Sequence, residues 1–86
     1  MTYQIVLTTA AARVIRKLAR LLQGRILDAI QDLGADPRPH GSKKLVGETS
    51  AWRIRVGDYR VIYEVLDEVM LITVVRARHR REVYAR

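Results

Sequence analysis

Between Arg53 and Arg60 the chain reads Arg-Ile-Arg-Val-Gly-Asp-Tyr-Arg, and Arg76, Arg78, Arg80 and Arg81 follow farther on. A guanidinium is a planar fork of N–H donors that keeps its charge at neutral pH, so a set of them suits phosphate oxygens. After Lys44 every Lys/Arg position is arginine, which favours bidentate phosphate recognition over point-charge attraction. There is no cysteine, which excludes a thiol nucleophile, a thiolate metal site and a disulfide framework. No cluster of His, Asp or Glu has metal-ligand spacing, so neither a metal nor another cofactor is expected.

The turn between these arginines fixes their geometry. Gly57-Asp58 is a two-residue hairpin signal flanked by alternating apolar residues. With those two residues in the loop, Val56 pairs with Tyr59, Arg55 with Arg60, Ile54 with Val61 and Arg53 with Ile62. Side chains alternate along a strand, so Arg53, Arg55 and Arg60 share one face of the sheet. Trp52, Ile54, Val56, Tyr59, Val61 and Tyr63 share the other, which reads as a core face. Like charges placed opposite one another cost roughly 0.2–1 kcal/mol, so the arrangement points to an anion between them. A merely solvated basic face is the alternative. Beyond a turn at Asp67-Glu68 two registers are open. A two-residue turn places Arg76 and Arg78 on the core side. A longer turn or a bulge brings Arg76 beside Arg60, and is favoured because buried unpaired charge is costly.

The elements that hold this hairpin follow from period and punctuation. Residues 3–7 are short and β-prone, and Thr8 or Thr9 offers an N-cap hydroxyl to a helix. In that helix Val14, Ile15, Leu18, Leu21 and Leu22 form an apolar stripe, with Arg13, Arg16, Lys17 and Arg20 opposite. Gln23-Gly24 is expected to interrupt or end it. A second helix over about residues 25–33 buries Ile26, Leu27, Ile30 and Leu33, with Gly34 as C-cap and Pro37 and Pro39 barring continuation. Residues 36–42 form a loop, residues 43–46 a short strand, residues 59–65 the hairpin partner, and residues 69–75 an almost wholly apolar strand at the centre of the sheet. An arginine-dense tail begins at Arg76. The fold class is α+β: an N-terminal strand, a two-helix hairpin, then three or four antiparallel strands, with the helices on one face.

Size and charge set the broader limits. A chain of 86 residues with 49% apolar and 29% charged residues suits one globular domain over residues 1–86 and is too short for two. The N-terminal residues lack a signal-peptide layout, and no apolar run nears the ~20 residues of a membrane span. Together with the absent cysteines, this makes a reducing cytoplasm the expected location. A net charge of +7 makes a polyanion the leading partner, nucleic acid first and acidic protein next.

The run from Trp52 to Val65 closely resembles the central hairpin of RelE-type toxins of the RelE/ParE superfamily. The likeness continues upstream through Pro37-Arg38-Pro39, Gly41 and Lys43-Lys44-Leu45, and downstream through Val74-Val75-Arg76 to His79-Arg80-Arg81-Glu82-Val83-Tyr84. It includes the helical hairpin and spans nearly the whole chain. The resemblance implies the toxin of a type II toxin-antitoxin system, an mRNA interferase that enters the ribosome and cleaves bound mRNA. Its reaction has the ribose 2′-hydroxyl attack the adjacent phosphate without a metal, and a co-expressed antitoxin with an acidic wrapping segment holds the toxin inactive. The ParE-type gyrase inhibitor shares the fold and is the alternative, as is a non-catalytic RNA-binding relative.

Carried onto this chain, the resemblance assigns catalytic positions to Arg53, Arg55, Arg60, Arg78 and Tyr84. Arg53 and Arg55 stand where well-characterised members have lysines. Arginine stays protonated and is a poor general base, so the proton must go elsewhere: to Glu48, to His79 with its unperturbed pKa of about 6.5, or to ribosomal RNA. Lys43, Lys44, Arg76, Arg80 and Arg81 are expected along the RNA backbone. Tyr84, in a polar run beyond the sheet, is expected to stack or hydrogen-bond. Trp52, Tyr59 and Tyr63 are assigned to packing, and Glu64, Asp67 and Glu68 to surface or turn.

Overall fold

The computed structural model describes residues 2–47 and 50–81. Strand β1 (Gln4–Leu7) runs into Thr8, whose hydroxyl accepts from the Ala11 N–H at 3.2 Å and caps helix α1 (Thr9–Arg16). Helix α2 (Arg20–Asp32) follows after a break at residues 17–19. The break falls earlier than expected, and Gln23-Gly24 lies inside α2. Gln23 donates from Nε2 to the Ile15 carbonyl at 3.2 Å, adding a side-chain donor where the Leu18 N–H closes the end of α1 at 3.1 Å. Gly24 costs α2 roughly 1 kcal/mol relative to alanine, and packing overrides that penalty.

The earlier break also re-sorts the apolar stripe. Ala11 and Ile15 of α1, and Ile26 and Ile30 of α2 with Leu33, are buried against the sheet. Leu21 is 80% exposed and Leu27 42% exposed, so neither belongs to the core. Gly34 does not take the left-handed cap conformation expected of it. Its carbonyl accepts from the Tyr3 N–H at 2.8 Å, and a Cβ there would lie 2.9 Å from the Thr2 methyl. Glycine is used here for close approach to the start of β1.

The five-stranded sheet has the order β1-β5-β4-β3-β2, completed by β2 (Lys43–Lys44), β3 (Ala51–Val56), β4 (Tyr59–Leu66) and β5 (Leu71–His79). β1 pairs parallel with β5 and all other pairs are antiparallel, in the α+β class expected. β5 lies between β1 and β4, which explains its apolar run. It begins at Leu71, two residues later than expected, because Asp67–Val69 form a 3₁₀ turn and Met70 takes a left-handed conformation (φ 51°). It also continues to His79, so Arg76 to His79 are strand residues and not tail.

The far end of the sheet is fastened by polar contacts. Arg38 makes a bidentate contact with Asp67 (3.2 and 2.7 Å), and the Tyr3 hydroxyl donates to the same carboxylate at 2.5 Å. The Arg38 guanidinium also lies over the Trp52 ring, 5.3 Å from its centroid. The buried Tyr63 hydroxyl donates to the Pro37 carbonyl at 2.6 Å, and burial pushes its pKa up to about 12. Arg38 and Tyr3 hold the Asp67 carboxyl below the usual carboxylate range. Loop 36–42 is thereby tied to β1, to β4 and to the β4–β5 turn.

Candidate functional site

The β3–β4 hairpin has the register that the two-residue turn requires. Gly57 takes a positive φ of 59°, and Arg55 stands opposite Arg60, with Arg53 opposite Ile62. Across β4 and β5 the ladder slips by one residue at Ile62/Tyr63. Tyr63 pairs with Val74 and Ile62 with Arg76, so Val75 is the extra residue of a bulge. Regular alternation from Ile72 and Val74 would have pointed Arg76 and Arg78 toward the helices. The bulge reverses the phase: Ala77 is buried, and the arginines on either side of it face outward. A bulge was one of the two open registers, but its position brings Arg78, and not Arg76, opposite Arg60.

Two basic ranks therefore cross the uncovered face. One is Arg55, Arg60 and Arg78 on β3, β4 and β5. The other is Lys43, Arg53, Ile62 and Arg76 on β2, β3, β4 and β5. Neighbouring strands lie about 4.8 Å apart, and residues two apart on a strand about 6.7 Å. Arg60, at the centre of the first rank, is only 9% exposed and is the one charged residue in the buried class among the described residues.

At the hairpin end a cavity of about 80 Å³ is lined by Arg55, Gly57, Asp58, Tyr59, Arg60 and Arg80. Three guanidinium-bearing residues border a space suited to a small anion. Arg80 reaches it because its N–H donates to the Asp58 carbonyl at 2.7 Å, pinning the chain after β5 against the turn. Arg78 and Arg80 open onto different spaces. Arg80, assigned to the RNA backbone, borders the cavity, whereas Arg78 borders a separate groove with Ala10, Val14, Arg76 and Ala77 beside α1.

His79 is not brought to the arginine ranks. It shares the helix-side alternation of Ala77 and stands opposite Tyr59, with the two rings edge-to-face at 5.3 Å and 89°. Its Nδ1 accepts from the Arg81 N–H at 3.1 Å, which leaves Nε2 to carry the proton in the neutral ring. Lys43 extends the second rank, Lys44 pairs with Trp52 at the sheet edge, and Arg81 is exposed just past β5. Glu48 and Tyr84 lie outside the described residues. Among the described residues no three His, Asp or Glu side chains cluster to hold a metal ion.

Sequence reasoning passed over two residues that bear on this face. Asp58 lines the cavity through its place in the turn, and no charge or spacing signal separates it from an ordinary turn aspartate. Glu64 lies on β4 beyond Ile62 and is the single acidic strand residue among the described residues, a contrast visible once the strands are drawn.

A sheet backed on one face by two helices is also the fold of solved toxins of toxin-antitoxin systems. The chain matches the family described as ParE toxin of type II toxin-antitoxin system, parDE, over residues 5–84. It is 34% identical to Toxin RelG of Mycobacterium tuberculosis, over all of both chains. Its fold superposes on the archaeal RelE-RelB complex from Pyrococcus horikoshii with a TM-score of 0.83, at 28% identity over 93% of this chain and 97% of that one. The toxin-antitoxin complex RelBE2 of M. tuberculosis gives a TM-score of 0.81 at 27% identity, covering 92% of each chain. The chain belongs to the RelE/ParE superfamily of type II toxins.

Proposed function

We propose that this toxin is a metal-independent endoribonuclease that cleaves ribosome-bound mRNA in the cytoplasm and so halts translation. The carrying observation is the rank Arg55, Arg60 and Arg78, in register on one open face beside a small cavity bordered by Arg55, Arg60 and Arg80. In the reaction the ribose 2′-oxygen attacks the adjacent phosphorus and the P–O5′ bond breaks. The products are a 2′,3′-cyclic phosphate and a 5′-hydroxyl. Charge accumulates on the non-bridging oxygens of the pentacoordinate phosphorus. Arg55 and Arg60 stabilise that charge, and preorganised electrostatics of this kind is often the largest catalytic contribution. Since arginine does not give up its proton, these residues supply charge and orientation, and proton transfer falls to other groups. Arg53, Arg76 and Lys43 bind the flanking backbone, with Lys44 and Arg81 at its margins.

The solved RelE relatives include complexes with RelB, and a cognate antitoxin that masks the basic face with acidic residues is proposed here too. The family description, which is that of ParE toxins, favours a second reading in which the same face binds gyrase. Purified toxin is incubated with programmed ribosomes and, separately, with gyrase and supercoiled DNA. Cleaved mRNA with unaffected gyrase is expected. Intact mRNA with inhibited gyrase overturns the proposal in favour of the second reading.

A further inference from the structure

Beside the phosphate track the open face carries a groove with largely apolar walls. It has a volume of about 320 Å³ and is lined by Leu45, Ala51, Ile62, Glu64, Val75 and Arg76. That size is at the lower end of the ~300–1,000 Å³ of small-ligand clefts, and the make-up is similar: apolar walls with few polar groups. The bulge builds one wall, because two residues of β5, Val75 and Arg76, stand against the single Ile62 of β4. Ala51 opposite Glu64 leaves room where a larger side chain would fill the space.

Glu64 is out of keeping with this face. It lies one step, about 6.7 Å, beyond Ile62, which Arg53 and Arg76 flank. A carboxylate here repels a phosphate backbone unless it meets hydrogen-bond donors, since an ionised carboxylate only accepts. Among the described residues no hydrogen bond or ion pair engages it. We propose that this groove is a nucleobase subsite selective for guanine, with Glu64 as its specificity-determining residue. The inference rests on the RNA-cleaving reading and names what lies beside the phosphate track.

A nucleotide whose phosphate is held by Arg53 can lay its base over Ile62 and Val75, with its Watson–Crick edge toward Glu64 and Arg76. Single-stranded RNA is read in this way, by stacking and by hydrogen bonds to exposed base edges. Guanine presents N1–H and N2–H₂ side by side and engages both carboxylate oxygens, while Arg76 donates to its O6 acceptor. Adenine and cytosine offer the carboxylate one amino group next to an acceptor. Uracil offers one N–H between two carbonyls, which the carboxylate repels.

The test uses the full chain and non-cleavable 2′-O-methyl RNA oligonucleotides of one length, differing only in one base and titrated at fixed salt by fluorescence anisotropy. Wild type is expected to favour the guanine oligonucleotide over the uracil one by roughly tenfold, the scale of one bidentate base contact. Glu64→Gln keeps the shape and loses the charge, so the preference collapses while affinity for the uracil oligonucleotide is held or increased. Equal binding of all four bases by wild type, or an unchanged preference in Glu64→Gln, overturns the subsite and leaves RNA binding standing. Failure of wild type to bind any oligonucleotide more tightly than Arg60→Ala does removes the RNA reading, and the subsite with it. Thermal melting of each variant confirms that folded protein is compared.

Discussion

On the helix-covered face of the sheet, Ile54, Val61, Tyr63, Ile72 and Val74 are buried and touch α1, α2 or one another. On the opposite face of the same strands stand Arg53, Arg55, Arg60, Arg76 and Arg78. One backbone serves both, and the side-chain period of two separates them. The covered face is selected for apolar volume, so several substitutions of similar size would fit it. Little in folding calls for arginine at the positions of the open face. The bulge at Val75 belongs to both faces. It keeps Ala77 inside and the arginines outside, where a regular ladder would have exchanged them.

The largest contrast is expected between two adjacent residues of β5. Ala77→Asp puts an unpaired charge on the covered face and is expected to destabilise the fold by ~4 kcal/mol or more. Arg76→Ala beside it should change stability by no more than about 0.5 kcal/mol, because its side chain is exposed. Urea unfolding of the two variants checks both values, and equal losses would mean that the phase of β5 is misassigned.

Activity should divide the other way. Arg60→Ala is expected to reduce mRNA cleavage on programmed ribosomes by about 10²–10³-fold, the usual loss when a preorganised charge-stabilising donor is removed. Ile26→Ala should instead cost roughly 2–4 kcal/mol of stability through a cavity under α2, with cleavage per folded molecule little changed. Both are read by pairing a melting curve with a cleavage rate for each variant.

Smaller effects sharpen the picture away from the ranks. Gly24 has nothing within 4 Å of where a Cβ would stand, so Gly24→Ala should stabilise by roughly 0.5–1 kcal/mol in thermal unfolding. The folded-state pKa of Asp67 is lowered, so its contribution is complete above the unfolded value of about 3.9 and is lost as pH falls through the folded one. Asp67→Asn should therefore flatten the acid limb of the stability curve without altering cleavage at neutral pH.

Much of this was legible from residue order. The Gly57-Asp58 turn sets the hairpin register without ambiguity, and with it the shared face of Arg53, Arg55 and Arg60. The apolar run ahead of Arg76 marks an interior strand, although the middle of the five is β4. What escaped was decided by tertiary packing. The helix break moved to residues 17–19 because Gln23 caps α1 and the burial of Ile26 and Ile30 outweighs one glycine. The cost of burying Arg76 and Arg78 already favoured a bulge or longer turn, but its position at Val75 has no local signal of its own. The side on which His79 falls follows from that slip, so its separation from the arginines was equally hidden. Arg80 joined the cavity through a backbone hydrogen bond to Asp58, a contact that side-chain patterns do not reveal.

If guanidinium groups of the open face act on an RNA phosphodiester, the chemistry of the ends made on programmed ribosomes reports it, with Arg60→Ala measured alongside. Wild type should yield 5′-hydroxyl and 2′,3′-cyclic phosphate termini, and the variant almost no new ends. Undamaged mRNA with the folded wild type, or equal cleavage by Arg60→Ala, would contradict that guanidinium role.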